Sequence, residues 1–289
     1  MHPPLARPST RFSSLAVAAT LVCLTPVAFA QAPANACGDG KAILASAYPA
    51  AKPDSGTEHA SYRLGDRRLM LPSQDSGNVP AMVCKVWPAH DNLLLIAVPR
   101  MDANQSLETD RVGDLDVMVV DRANNKVLQR MTLPDAMSDD AVQITKVEFD
   151  TARYIVAPGI QAFGLRTQRT GSSRVNPFGE TTLHLFVMRD GASGPLRKVL
   201  DGLATSRSGG EWDGNCQGEF SERSAVLAMT KDVHNGYFDI RVTVGSQTTR
   251  QVAVGKDDCK ESTAKDAKAQ HTLVYDGKQY VVPAALKDL

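Results

Sequence analysis

The chain has 289 residues, with 32 basic against 32 acidic side chains and 43% hydrophobic residues. A chain with no net charge lacks the basic surface field that nucleic acid or an anionic membrane selects, so neither is expected as a partner. Its length suffices to bury a large core, as one β domain or as two smaller domains.

Residues 1–30 predict an export signal: Arg7 and Arg11 make a positive front, Leu15 to Leu24 an apolar stretch too short for a bilayer span, and Ala28-Phe29-Ala30 a small-x-small cleavage pattern. Cleavage is expected near Ala30, so the mature chain begins near Gln31 and reaches the periplasm or the medium. Cys23 lies within the apolar stretch, but Val22 precedes it where a lipoprotein signal has Gly, Ala or Ser, and no lipid anchor is expected. No later segment approaches eighteen apolar residues, so no membrane span is expected in the mature chain.

Four cysteines remain after processing, Cys37, Cys84, Cys216 and Cys259, an even number for an oxidising compartment. Three connectivities are open. Cys37–Cys84 with Cys216–Cys259 is the expected one, because it staples each half of the chain. No Cys-x-x-Cys or His-x-x-x-His spacing accompanies them, which argues for structural bridges over a metal site, and no cofactor is implied.

In chain order, residues 31–80 are expected to hold one helix and exposed connections tied to the body, and residues 81–289 an antiparallel β body. Asp39 is placed to cap a helix from Lys41 to Tyr48, with Ile43, Leu44 and Ala47 on one face and Pro49 ending it. The polar stretches Lys52 to Glu58 and Pro72 to Val79 read as exposed connections. Hairpins are predicted for Met82 to Trp87 with Leu93 to Val98, for Leu115 to Val120 with Lys126 to Leu133, and for Thr182 to Met188 with Leu196 to Leu200. The runs Leu93-Leu94-Leu95-Ile96 and Val117-Met118-Val119-Val120 are apolar on both faces and are expected in central, doubly covered strands. The apolar phase slips across Thr145-Lys146 between positions 142/144 and 147/149, and a bulge there is expected to restore one burial face.

Further on, Phe238 to Val244 alternates strictly, with a turn expected at Gly245-Ser246 leading into Thr249 to Val254. Asp276-Gly277 suits a type I′ turn between His271 to Tyr275 and Gln279 to Val282. Six hairpin centres, near 90, 124, 151, 192, 246 and 276, with no helices between them, predict an all-β fold: antiparallel sheets, sandwich-like or an irregular propeller, with one short N-terminal helix. Their uneven spacing favours the packed sheets. Gln168 to Thr181 and Ala204 to Glu222 read as long connections and as the places for function.

In the second of these, Glu211, Asp213 and Glu219 surround Trp212, a combination suited to gripping a sugar ring or placing an acid and a base. A structural role for the same segment has its glycines turning the chain, Trp212 packing over a disulfide at Cys216, and the acids capping amides. In the first, Arg166, Arg169 and Arg174 surround Gly171-Ser172-Ser173 and suit an anion. There is no Gly-x-Ser-x-Gly, Ser-x-x-Lys or His-Glu-x-x-His, and His59, His90, His184, His234 and His271 are scattered.

The segment Cys84-Lys85-Val86-Trp87-Pro88-Ala89, the Gly-Glu-Trp-Asp-Gly-Asn-Cys run at 210–216 and the Tyr-Asp-Gly-Lys-Gln-Tyr ending at 275–280 resemble a group of secreted proteobacterial proteins with no assigned activity. That resemblance, over most of the mature chain, implies export and disulfides. His234-Asn235-Gly236-Tyr237-Phe238-Asp239-Ile240 resembles the turn entering a strand of FG-GAP propeller repeats. Lys231 and Val233 stand where that pattern places oxygen ligands, so no calcium is expected, and Asp239 is expected to point outward beside Arg241. The resulting expectation is a non-catalytic exported β protein that binds or builds in the cell envelope, with envelope glycan or another envelope protein as partner. The alternative is an envelope glycan hydrolase using Glu211, Asp213 or Glu219.

Overall fold

The structure, a computed structural model, describes residues 36–56, 59–72, 79–189, 194–255, 258–266 and 268–287. The expected export signal and the expected mature N-terminus near Gln31 lie outside the described residues. The helix α1 (Lys41–Ala47) buries Ile43 and Leu44. Its N-cap is Gly40 in the left-handed conformation, not Asp39, which sits one residue earlier and accepts the Lys41 N–H at 3.0 Å.

A first sheet collects β1 (Lys52–Pro53), β2 (Ser61–Leu64), β3 (Arg67–Met70), β4 (Val83–Trp87), β5 (His90–Asp102), β6 (Gly113–Asp121) and β7 (Val127–Leu133). The second begins with β8 (Val142–Ala157), β9 (Ile160–Gly171) and β10 (Phe178–Val187). The chain then returns to the first sheet as β11 (Gly194–Pro195), parallel to β7. It re-enters the second as β12 (Arg197–Trp212), β13 (Gly218–His234), β14 (Tyr237–Val254), β15 (Asp258–Lys265), β16 (Ala269–Tyr275) and β17 (Tyr280–Val281). Every other pairing is antiparallel.

The sheets pack face to face. Trp87, Leu95, Val117 and Val119 of the first meet Phe149, Phe163, Leu165 and Phe186 of the second. Trp87 stands edge-on to Phe163 at 5.2 Å, and Phe163 stacks on Phe186 at 5.5 Å. Because alternate residues of a strand face opposite ways, Leu94, Ile96, Val98, Met118 and Val120 emerge on the far side, where Ile43, Leu44 and Tyr48 cover them. That explains the doubly apolar runs. Tyr48 also donates to the buried Asp116 at 2.5 Å, which accepts from Thr132 Oγ1 at 2.6 Å and pairs with Arg100 at 3.2 Å. Burial and the Asp116 carboxylate hold the Tyr48 hydroxyl above its ordinary range, so it stays a donor.

The second sheet curls until β14 nears β8 and β17 nears β12, and this encloses a further core of Tyr154, Leu183, Leu185, Leu203, Ile240, Val242 and Leu273. Its strands show the expected bulge. Ile144 pairs with Arg169 and Lys146 with Gln168, leaving Thr145 as the extra residue, so that Ile144, Val147 and Phe149 are all buried.

Several expectations are corrected. The 52–58 stretch contributes β1, which pairs with β2, and Val79 is buried; residues 57–58 and 73–78 lie outside the described residues. The hairpin β2–β3 went unforeseen because three arginines in eight residues mask its alternation. Near 151 the chain shifts register without turning, and the turn falls at Pro158-Gly159, where Gly159 takes φ 74°. Gly245-Ser246 makes no turn: β13 pairs along one side of that stretch, so β14 runs through it unbroken. The β16–β17 connection spans four residues, with Asp276 Oδ1 accepting from Lys278 and Gln279. Between β10 and β12, residues 190–193 lie outside the described residues.

Candidate functional site

Both long connections are hairpins whose strands reach almost to the tip. Residues 206–212 of β12 pair with 218–224 of β13, and β13 pairs with β14 from Gly218 to Met229. Residues 247–254 of β14 pair with β15, whose residues are all exposed. Ser, Thr, Arg, Glu and Gln predominate here, and Phe178, Trp212, Phe220 and Val252 are not buried, so this part of the sheet forms a ribbon that buries little. The tip is fixed by Asp213, whose Oδ1 accepts the Asn215 and Gln217 N–H groups at 2.9 Å each, and these amides hold its carboxyl below the usual range. Beside it a disulfide joins Cys216 to Cys259 with Cα atoms 5.3 Å apart, and another joins Cys37 to Cys84 at 5.2 Å.

On the ribbon lies a hollow of about 750 Å³ lined by Phe178, Arg207, Gly209, Glu211, Glu219, Ser221 and Arg223 among others. Register builds it in three rows: Arg207 opposite Arg223, Gly209 opposite Ser221, and Glu211 opposite Glu219. The next strand over extends the rows, since Phe178 pairs with Gly209 and Glu180 with Arg207. The Arg207 guanidinium lies 5.5 Å from the Phe178 ring centroid and 4.0 Å from Glu180. Glu219 is engaged by Arg250, at 2.5 and 3.1 Å. Glu211 has no ionic partner among the described residues. A Cβ on Gly209 would meet only the Pro177 carbonyl oxygen, at 3.8 Å, so the middle of the floor is open.

Trp212, expected beside these acids as a platform, lies over Gly218 and spends its indole N–H on the Asn215 carbonyl at 3.1 Å. The three arginines do not converge. Arg166 and Arg169 belong to β9, not to a loop, and residues three apart in a strand face opposite ways. Arg166 bonds Asp150 at 2.7 Å and Thr205 Oγ1 at 2.7 Å. Arg169 lines a second cavity of about 480 Å³ with Glu180, His184 and Asp201, while Arg174 is exposed in the connection after β9. His184 Nδ1 lies 3.1 Å from Asp201, whose carboxyl is held well below its ordinary range by His184 and, against its burial, by Lys198 at 2.7 Å. Asp239 does not point outward to Arg241: it is 3% exposed, and His234 Nδ1 sits 2.8 Å from its Oδ1. The two-residue turn at Asn235-Gly236 folds the histidine back over it.

Phe178, Arg207, Ser221 and Arg223 were not anticipated. The alternation Ser206-Arg207-Ser208 and Ser221-Glu222-Arg223 signals strand, but the four glycines between 206 and 223 carry the composition of a loop.

Asp150 gives a pH test of the Arg166 brace. Burial raises its pKa, but the Ala152 N–H, the Tyr154 hydroxyl and Arg166 together hold it below the ordinary value. A carboxyl depressed by folding adds stability above its unfolded pKa, near 4, and loses it as the pH falls through the folded value. Asp150→Asn is therefore expected to lower the urea midpoint at pH 7 and to flatten its decline between pH 5 and pH 2. Parallel curves for variant and parent would show that the brace is not formed.

Among the described residues no group of three or more His, Cys, Asp or Glu could hold a metal ion, and no helix is long and apolar enough to cross a membrane. Comparison with protein-family models, curated proteins and solved structures found no match.

Proposed function

We propose that this chain is an exported, non-catalytic recognition protein of the cell envelope, and that the hollow on the ribbon is where it binds. One observation carries the reading. Three long strands leave the core, β15 pairs along the last of them, and a disulfide joins the β12–β13 tip to β15, yet this part buries little, so its stability serves display of a surface. The two disulfides fit an oxidising compartment. Envelope glycan with its attached peptides, or another envelope protein, is the class of partner.

A hydrolase is the weaker reading. Glu211 and Glu219 stand side by side on neighbouring strands, with Cβ atoms about 5 Å apart, and so approach a ligand from one side. Glycosidic cleavage needs an acid and a base or nucleophile flanking the bond. Glu219 is taken by Arg250 and Asp213 by the tip amides.

Oxidised mature protein titrated with soluble peptidoglycan fragments tests the proposal. A fragment at a hundred times its Kd stabilises by about 2.7 kcal/mol, which raises the melting temperature by roughly 5–10 °C. Glu211→Gln and Arg223→Gln are expected to reduce that rise without changing the circular dichroism spectrum. Release of reducing ends that disappears in Glu211→Gln with folding intact would replace this reading by the hydrolase; the absence of any stabilisation would overturn it.

A further inference from the structure

We infer that the hollow recognises the two charged ends of a short extended peptide, carboxylate at one end and ammonium at the other. This inference rests on the binding reading above and gives it a ligand class. The observation behind it is the order of charge along the ribbon. Each outer row of the hollow sets like charges directly opposite one another, two guanidiniums at 207/223 and two carboxylates at 211/219, an arrangement that costs stability in a bare sheet. Glu180 and Arg250 offset part of that cost, one at each row. The ribbon thus carries guanidiniums at one end of the hollow and carboxylates at the other, with no charge on the Gly209–Ser221 row between them.

A single ion complements only half of such a site, whereas a zwitterion complements both ends. The spacing sets its length. Positions 207 and 211 lie four steps apart along β12, roughly 13 Å at about 3.3 Å per residue. An extended chain of four residues spans a similar distance, at most ~3.6 Å per residue. The open floor at Gly209 lets a backbone approach closely, Ser221 offers a hydroxyl to it, and Phe178 offers an apolar wall to small side chains. A guanidinium presents a fork of N–H donors that suits a carboxylate, and Glu211, without an ionic partner among the described residues, suits the ammonium.

The probes are tetra-alanine, its N-acetyl form, its C-terminal amide and the doubly blocked peptide, titrated by calorimetry into the oxidised mature protein. Tetra-alanine is expected to bind, and blocking either end to weaken it about tenfold, the scale of one charge-assisted hydrogen bond. Glu211→Gln should erase the difference between tetra-alanine and its N-acetyl form alone. Arg223→Gln should erase the difference between tetra-alanine and the amide alone. This crossed pattern would not follow from a general loss of structure, and Arg223→Lys should restore part of the carboxylate dependence. Equal binding of all four peptides, or no binding of any, overturns the inference. If glycan fragments without peptide still stabilise the protein, recognition at the hollow stands and only the ligand class fails; if neither peptides nor glycans do, both fail.

Discussion

Replacing Asp139 with alanine is expected to lower the unfolding free energy by about 3–5 kcal/mol and the melting temperature by roughly 6–20 °C. The cause is the environment of its partner. Arg111 and Asp139 have side chains 1% and 0% exposed. Arg111 Nε donates to both carboxylate oxygens, at 2.9 and 3.0 Å, and its Nη2 donates to the same carboxylate and to the Ile144 carbonyl at 3.0 Å. Asp139 also accepts the Ile144 N–H at 2.7 Å. The pair thus ties the segment before β6 to the start of β8. Truncating the acid leaves a buried guanidinium without its counter-charge, and the desolvation already suffered is then offset only by its remaining hydrogen bonds. Arg111→Met with Asp139→Leu removes both charges together and is expected to stay within about 2 kcal/mol of the parent. Urea unfolding of the two singles and the double checks this. A double variant as unstable as the alanine single would show that packing, not the charge left behind, sets the loss.

The second large effect separates the two cystines. Each closes a loop of similar length, with sequence separations of 47 and 43, and on chain entropy alone each is worth about 4 kcal/mol. Their surroundings differ. Cys37–Cys84 joins the turn before α1 to β4, inside the core that Leu44, Ile96 and Met118 fill, so replacing both with serine should lower the global melting temperature by roughly 8–16 °C. Cys216–Cys259 holds strand ends that bury little, and these can open while the core stays folded. Its serine pair is expected to move the melting temperature much less and to speed amide exchange in residues 206–224 and 247–265. Equal falls in melting temperature, with unchanged exchange along the ribbon, would show that the ribbon and the core unfold together.

The all-β class, the central strands and the Thr145 bulge were legible because burial leaves a period in the sequence. Leu93 to Val98 repeats apolar residues on both faces, and the slip at Thr145 is readable because both flanks keep their period. The cystine pairing was legible because it staples each half of the chain. The ribbon was not legible for the complementary reason. Strands exposed on both sides need no apolar alternation, and residues 206–212, with two glycines and two serines, carry the composition of a loop. Trp212, Glu211 and Glu219 were visible as unusual residues, but their relation depends on a register between β12 and β13 that only the folded sheet defines. The arginines misled for a simple geometric reason: close in sequence, Arg166 and Arg169 fall on opposite faces of one strand. Asp239 misled because alternation assigns a face, and a turn can bring a histidine round to cover it.

The short return of Gly194-Pro195 to β7 has a consequence for how the molecule comes apart. Just before it, the buried Gln129 of β7 exchanges hydrogen bonds with the Arg189 backbone, at 2.9 and 3.0 Å, while that chain is still leaving β10. The polypeptide is therefore laced through both layers midway along its length, and Lys85 Nζ adds a tie from β4 to the Phe149 carbonyl at 3.0 Å. Prising the layers apart therefore strains these ties, and the two layers are expected to unfold as one cooperative body, not as independent leaves.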